Sequence, residues 1–121
     1  MTEISMTKTY DLEERTALFA EFCRDFVKTL PKNTANFEYG KQFIRSSGSQ
    51  ASNYIEANEA LSKKDFILRI KICRKETKES CLWLRLCDIT ENKELKKERT
   101  ALIKEAMELR NIFTAILNKS T

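Results

Sequence analysis

Apolar residues return every three or four positions along most of the chain, which is the period of an α-helix with one face turned to a core. The first such run, Leu12, Leu18, Phe19, Phe22, Cys23, Phe26, Val27 and Leu30, predicts a helix over 11–30. Asp11 with Glu14 has capping-box spacing at its start, and Pro31 stops it, because a proline pushes the preceding residue out of the helical region. The KNTAN stretch through Asn36 reads as the connection. A second helix is predicted over 37–58 with Phe37, Gly40, Ile44, Ser47, Ala51, Tyr54, Ile55 and Asn58 on its inner face. A third, over 63–89, opens at Ser62 with Asp65 three residues on, and its seam holds Phe66, Ile70, Cys73, Thr77, Ser80, Cys81 and Leu84. Ile67, Ile72, Trp83, Leu86 and Ile89 widen that arc, so this helix touches more than one neighbour, in the bundle or in another subunit. A fourth, over 93–118, carries Leu95, Leu102, Ala106, Leu109, Phe113 and Ile116 inward.

The segment RSSGSQAS, residues 45–52, tests this pattern, since serine and glycine are poor helix formers and Gly48 costs about 1 kcal/mol relative to alanine. Gly40, Ser47, Gly48 and Ala51 also supply a strip of small side chains on which another helix can pack closely. A continuous helix is the favoured reading, with a loop as the alternative. Short connections make sequential helices antiparallel, so the expectation is an all-α, antiparallel up-down-up-down four-helix bundle. One domain over 11–119 follows from the length, with residues 1–10, polar and aperiodic, as a flexible tail. Composition agrees. Two glycines and one proline fall far short of the roughly 14 expected at this length. Val27 is the only valine, so a sheet lacks its usual material.

Candidate chemistry narrows quickly. With no histidine, the commonest general base and metal ligand is missing. Cys73, Cys81 and Cys87 lie 8 and 6 residues apart, without the C-x-x-C spacing of a metal site. SSGS lacks the lysine of a phosphate-binding loop, and Gly40 with Gly48 makes no dinucleotide fingerprint. Catalysis, a metal and a cofactor are therefore not expected. Cys23, Cys73, Cys81 and Cys87 sit in apolar stretches and read as free, buried thiols of a cytoplasmic protein. Met1 to Tyr10 lacks the apolar core of a signal peptide, and no run approaches the ~20 apolar residues of a membrane span.

Charge adds more than composition does. The net +4 is mild, but the first helix carries −2 and the second, with the Glu59 that follows it, −1, whereas the third carries +4 and the fourth +2. Lys64, Lys71, Arg74, Lys75, Lys78 and Arg85 recur at helical spacing and share a stripe, which Lys96, Lys97, Arg99 and Lys104 of the fourth helix could extend. Such a stripe is either a solvated face or a surface for nucleic-acid phosphates. No aromatic side chains interleave with it, so base stacking is not indicated. On the second helix Gln42, Arg45, Ser49, Asn53 and Glu56 form a polar row within reach of Glu76 and Glu79. That row faces solvent or forms a polar network that sets register and interface.

The same row carries a resemblance. Gln42, Arg45, Ser46 and Ser49 match the pattern Q-[LI]-x-R-[AS]-x-x-S, and Asn53, Tyr54, Glu56 and Ala57 fall on N-I-x-E-[GA]. Ser62, Asp65 and Phe66 match a following S-x-x-[DE]-F, and Glu76, Glu79 and Ser80 an E-x-x-E-[ST]. In these features, and in the helix-1 end at Leu30 and Pro31 and the fourth helix's ELRNIF, nearly the whole chain resembles the four-helix bundle family known as the 23S ribosomal RNA intervening-sequence proteins. Phe43, Tyr54 and Ala57 depart from its commonest residues. The resemblance implies the antiparallel bundle, a helix unbroken at Gly48, and homo-oligomers, in similar proteins pentameric rings. Related accessory proteins of diversity-generating retroelements use a basic ring to bind nucleic acid and a reverse transcriptase. That family has no established biochemical function. The expected function is a non-enzymatic homo-oligomeric bundle that binds RNA or DNA, with a protein-interaction scaffold as the alternative.

Overall fold

A computed structural model describes residues 11–121. The predicted tail, residues 1–10, lies outside the described residues. Four helices follow in order: α1 (Leu12–Thr29), α2 (Thr34–Asn58), α3 (Lys63–Leu86) and α4 (Lys93–Ser120). Each begins at a side chain that accepts from an otherwise unpaired N–H of the first turn. Asp11 accepts from the Glu14 amide at 2.8 Å, and Asn33 from that of Asn36 at 2.9 Å. Ser62 accepts from Asp65 at 3.1 Å and Asn92 from Leu95 at 2.9 Å. Asn33 corrects the expected start of the second helix. The KNTAN stretch is a cap and first turn rather than a connection, so α2 begins three residues early. α3 also ends before residue 89, because Cys87 turns extended (φ −61°, ψ 139°). Thr90 then adopts φ 54° in the link, its N–H donating to Asp88 at 2.9 Å.

α2 continues through RSSGSQAS without a break. The hydroxyls of Ser46, Ser47 and Ser52 donate to the carbonyls of Phe43, Ile44 and Ser49, three residues back, and so are paired within the helix itself.

α2 packs on α1 and α3, and α4 on α3 and α1, which gives the up-down-up-down bundle. The core is centred on Phe19, Phe26, Phe43, Ile70, Leu84, Leu102, Leu109 and Phe113, all essentially inaccessible. Phe26 and Phe43 meet edge to face at 6.3 Å. Burying side chains of this size contributes about 1.5–3 kcal/mol each. Gly40 is a point of close approach, since a Cβ there would stand 3.2 Å from Val27 Cγ1 of α1. Asn36 ties the two connections at one end together: its amide donates to the Pro31 and Asp88 carbonyls at 2.8 and 2.9 Å, and its oxygen accepts from the Asp88 amide at 2.7 Å.

The inner face of α2 differs from the expected one. Gly40 and Ser47 are buried as expected, but Phe37, Ile44 and Ile55 are exposed, and Asn36, Phe43, Ser46 and Gln50 are buried in their place. Neighbouring helices take up the Ser46 hydroxyl and the Gln50 amide N–H, Ser47 donates within α2 to the Ile44 carbonyl, and Gln50 Oε1 has no partner among the described residues. Ser46 and Ser80 hydroxyls pair at 2.8 Å, and Gln50 donates to the Thr16 carbonyl of α1 at 2.8 Å. Gly48 faces open space, with nothing within 4 Å of a Cβ, so no helix of this chain packs closely on it as the strip of small residues had led us to expect. Leu86 is also exposed rather than part of the α3 seam. Among the described residues, no helix is long and apolar enough to cross a membrane.

Candidate nucleic-acid interface

The basic stripe of α3 exists because lysine and arginine recur every three or four residues on a helix whose other face is buried through Ile70, Cys73, Thr77 and Leu84. Antiparallel packing lays α4 beside it. A groove between the two is lined by Lys71, Arg74, Lys75 and Lys78 from α3 and by Arg110, Asn111 and Thr114 from α4. Five cations therefore line one surface that contains no acidic residue. Among the described residues, only Lys75 of the five comes within 4.0 Å of a carboxylate, that of Glu76. Arg110 was not part of the expected stripe; its place in the groove depends on the register of α4 against α3.

The remaining expected cations separate. Lys64 lies at the amino-terminal end of α3, where with Lys71 it borders an apolar depression that includes Ile67 and Leu68. Arg85 is exposed two turns beyond Lys78, outside the groove lining. Lys96 stands 14 residues before Arg110, nearly in line with it at about 100° per residue, but at the far end of α4. Lys97 and Lys104 are rotated by roughly 120–140° from Arg110 and do not extend the groove. Arg99 is used structurally: Nη1 donates to the Cys87 carbonyl at 3.2 Å and so caps the end of α3.

The polar row of α2 divides into two clusters along α3. Arg45 reaches Glu76 at 3.2 Å and Glu79 at 3.8 Å. Asn53 donates to Ser49 Oγ at 3.1 Å and accepts from Arg69 at 3.0 Å. Arg69 was not anticipated. Gln42 and Glu56 are exposed and join neither cluster among the described residues. Glu76 is buried, and Arg45, itself half in solvent, is its nearer cation at 3.2 Å, with Lys75 of α3 at 4.0 Å. The row thus fixes α2 against α3. At its end Tyr39 stacks on Trp83 with centroids 6.0 Å apart.

A second ion pair closes the bundle. Arg15 Nε and Nη2 donate to the two oxygens of Glu105 at 2.9 and 2.7 Å, joining α1 to α4, and this fork holds the guanidinium above its ordinary pKa. Cys23, Cys73 and Cys87 are buried, Cys81 is half-buried, and all four thiols are free. Burial pushes Cys73 up to about 12 and Cys87 up to about 11, so the buried thiols are poor nucleophiles.

The family model described as 23S rRNA-intervening sequence protein matches residues 8–115. The bundle is also similar to the crystal structure of a protein with unknown function from the S23 ribosomal protein family of Bacteroides thetaiotaomicron. Identity is 28%, the TM-score is 0.75, and the match covers 87% of this chain and 96% of that one. No curated protein matches the chain.

Proposed function

The chain belongs to the 23S rRNA-intervening sequence protein family, and we propose that it is a non-enzymatic, homo-oligomeric bundle of the cytoplasm that binds RNA or another nucleic acid along the α3–α4 groove. The observation that carries this reading is the convergence of Lys71, Arg74, Lys75, Lys78 and Arg110 on one groove without an acidic residue. Gathering like charges costs a few tenths of a kcal/mol for each i, i+4 pair, and a polyanion offsets that cost by releasing its counterions. The groove lining has no aromatic side chain, so contact is with the backbone, and shape governs it more than base identity.

Filter binding to a structured RNA across a salt series tests the proposal. Five phosphate contacts give a slope of log K against log salt of about −3.5 to −4.5, hence a loss of roughly 100-fold or more between 50 and 200 mM salt. A Lys71→Glu/Arg74→Glu/Lys75→Glu/Lys78→Glu variant, with helicity intact, loses binding, and Arg110→Ala lowers the slope by about 1. Affinity that is indifferent to salt, or no binding at 50 mM, sinks the reading.

The exposed apolar side chains Phe37, Ile44, Ile55, Leu68 and Leu82 favour a second reading, a protein-interaction scaffold. Its partner would be a protein such as the reverse transcriptase that the resemblance implies. Stoichiometric capture that survives nuclease treatment distinguishes it.

A further inference from the structure

Two residues that line the α3–α4 groove carry no charge, Asn111 and Thr114. Both stand on α4, three residues and so about 4.5 Å apart along its axis, within one turn. Their polar groups are not used by the fold. On α3 and α4 the hydroxyls of Thr77, Ser80, Thr100 and Ser120 each donate to the carbonyl four residues back. Thr114 carries the remaining hydroxyl of these two helices and makes no such bond among the described residues. The Asn111 amide is exposed and has no partner among them either.

The chemistry of these two groups says which part of a nucleic acid they suit. Phosphate oxygens only accept, and the five cations of the groove serve them; the Asn111 carbonyl would meet such an oxygen acceptor to acceptor. An amide and a hydroxyl each donate and accept, so they complement a group that does both. Base edges are poorly placed for the role. The lining offers no aromatic side chain on which an unstacked base could rest, and in a duplex the bases lie behind the backbone that the cations hold. The group that lies beside the phosphates and both donates and accepts is the ribose 2′-hydroxyl, which DNA lacks.

We infer that Asn111 and Thr114 hydrogen-bond ribose 2′-hydroxyls while Lys71, Arg74, Lys75, Lys78 and Arg110 hold the phosphates, so that the groove selects RNA over DNA. The inference rests on the nucleic-acid reading proposed above and names which polymer that site takes. Affinity and selectivity are then carried by different side chains. The cations give salt-dependent binding that either polymer receives, and the two neutral residues give the difference between them. Two neutral hydrogen bonds at a partly solvated site amount to a preference of about 10-fold.

Three hairpins of one sequence test the selection: RNA, DNA, and RNA whose riboses carry 2′-fluorine, which keeps the A-form but has no hydroxyl to donate. Each is titrated by filter binding across a salt series against the wild type and an Asn111→Ala/Thr114→Val variant. Valine keeps the shape of threonine, and circular dichroism with a melt checks that the bundle is intact; Asn111→Ala alone serves if the double variant unfolds. The wild type binds RNA about 10-fold more tightly than the other two hairpins. The variant binds all three about equally, with the salt slope of the wild type, because no cation has been removed. A wild type that holds the 2′-fluoro hairpin or the DNA as tightly as RNA overturns the inference, as does a variant that keeps the full preference. In those cases the salt slope persists and the groove reading stands. A wild type that binds no hairpin at 50 mM salt, or binds with no salt dependence, overturns both.

Discussion

Replacing Arg15 by methionine keeps an apolar stem of similar length on α1 and removes the fork that neutralises Glu105. The carboxylate is then left with 5% of its side chain accessible and, among the described residues, no other cation within 4.0 Å. An exposed pair of this kind is worth 0–1 kcal/mol, whereas removing one member of a buried pair costs about 3–5 kcal/mol. Arg15 retains 24% exposure, which lets water reach the site and places the loss at the low end, about 3 kcal/mol. With an unfolding entropy of about 2.1 cal/mol/K per residue, the 121 residues give roughly 250 cal/mol/K, so Tm falls by about 12 °C. Calorimetry at one fixed protein concentration measures it, because self-association would otherwise shift Tm by mass action. The double variant Arg15→Met/Glu105→Met recovers most of the loss, since it removes the stranded charge as well as its partner. A single variant that loses less than about 1 kcal/mol, or a double variant less stable than the single, refutes the assignment of a buried pair to the α1–α4 contact.

The two glycines of α2 respond differently to alanine. Gly48→Ala meets no atom of the chain and gains about 1 kcal/mol of helix propensity. Gly40→Ala gains less or loses stability because Val27 stands 3.2 Å away; urea midpoints that rise equally for both contradict this. The thiols predict an alkaline limit. Cys73 and Cys87 ionise near 12 and 11 when folded but near 9.0 when unfolded, so the unfolded chain loses protons first. Stability is therefore independent of them below pH 9 and falls above it, by up to about 1.4 kcal/mol per pH unit for each thiol. Replacing Cys87 by alanine flattens that slope between pH 9 and 10.5, and an unchanged slope counts against burial as the cause.

What could be read from the chain was local. Asp11, Ser62 and Pro31 announce helix ends because caps and proline act through neighbouring backbone, and the α3 and α4 seams follow from a 3.6-residue period. The stripe Lys71, Arg74, Lys75 and Lys78 is legible for the same reason. The buried face of α2 was legible only in part, at Gly40 and Ser47, since Ser46 and Gln50 outrank Phe37, Ile44 and Ile55 for the interior. Hydropathy opposes that choice; what permits it is a partner on another helix, Ser80 for Ser46 and the Thr16 carbonyl for Gln50. Arg110 joins the groove, Arg99 is diverted to the Cys87 carbonyl, and Lys97 and Lys104 turn away. These outcomes depend on how far α4 slides and rotates along α3. Periodicity says which residues share one side of a helix; only the packing of helices distant in sequence decides which side is inside and which charges meet.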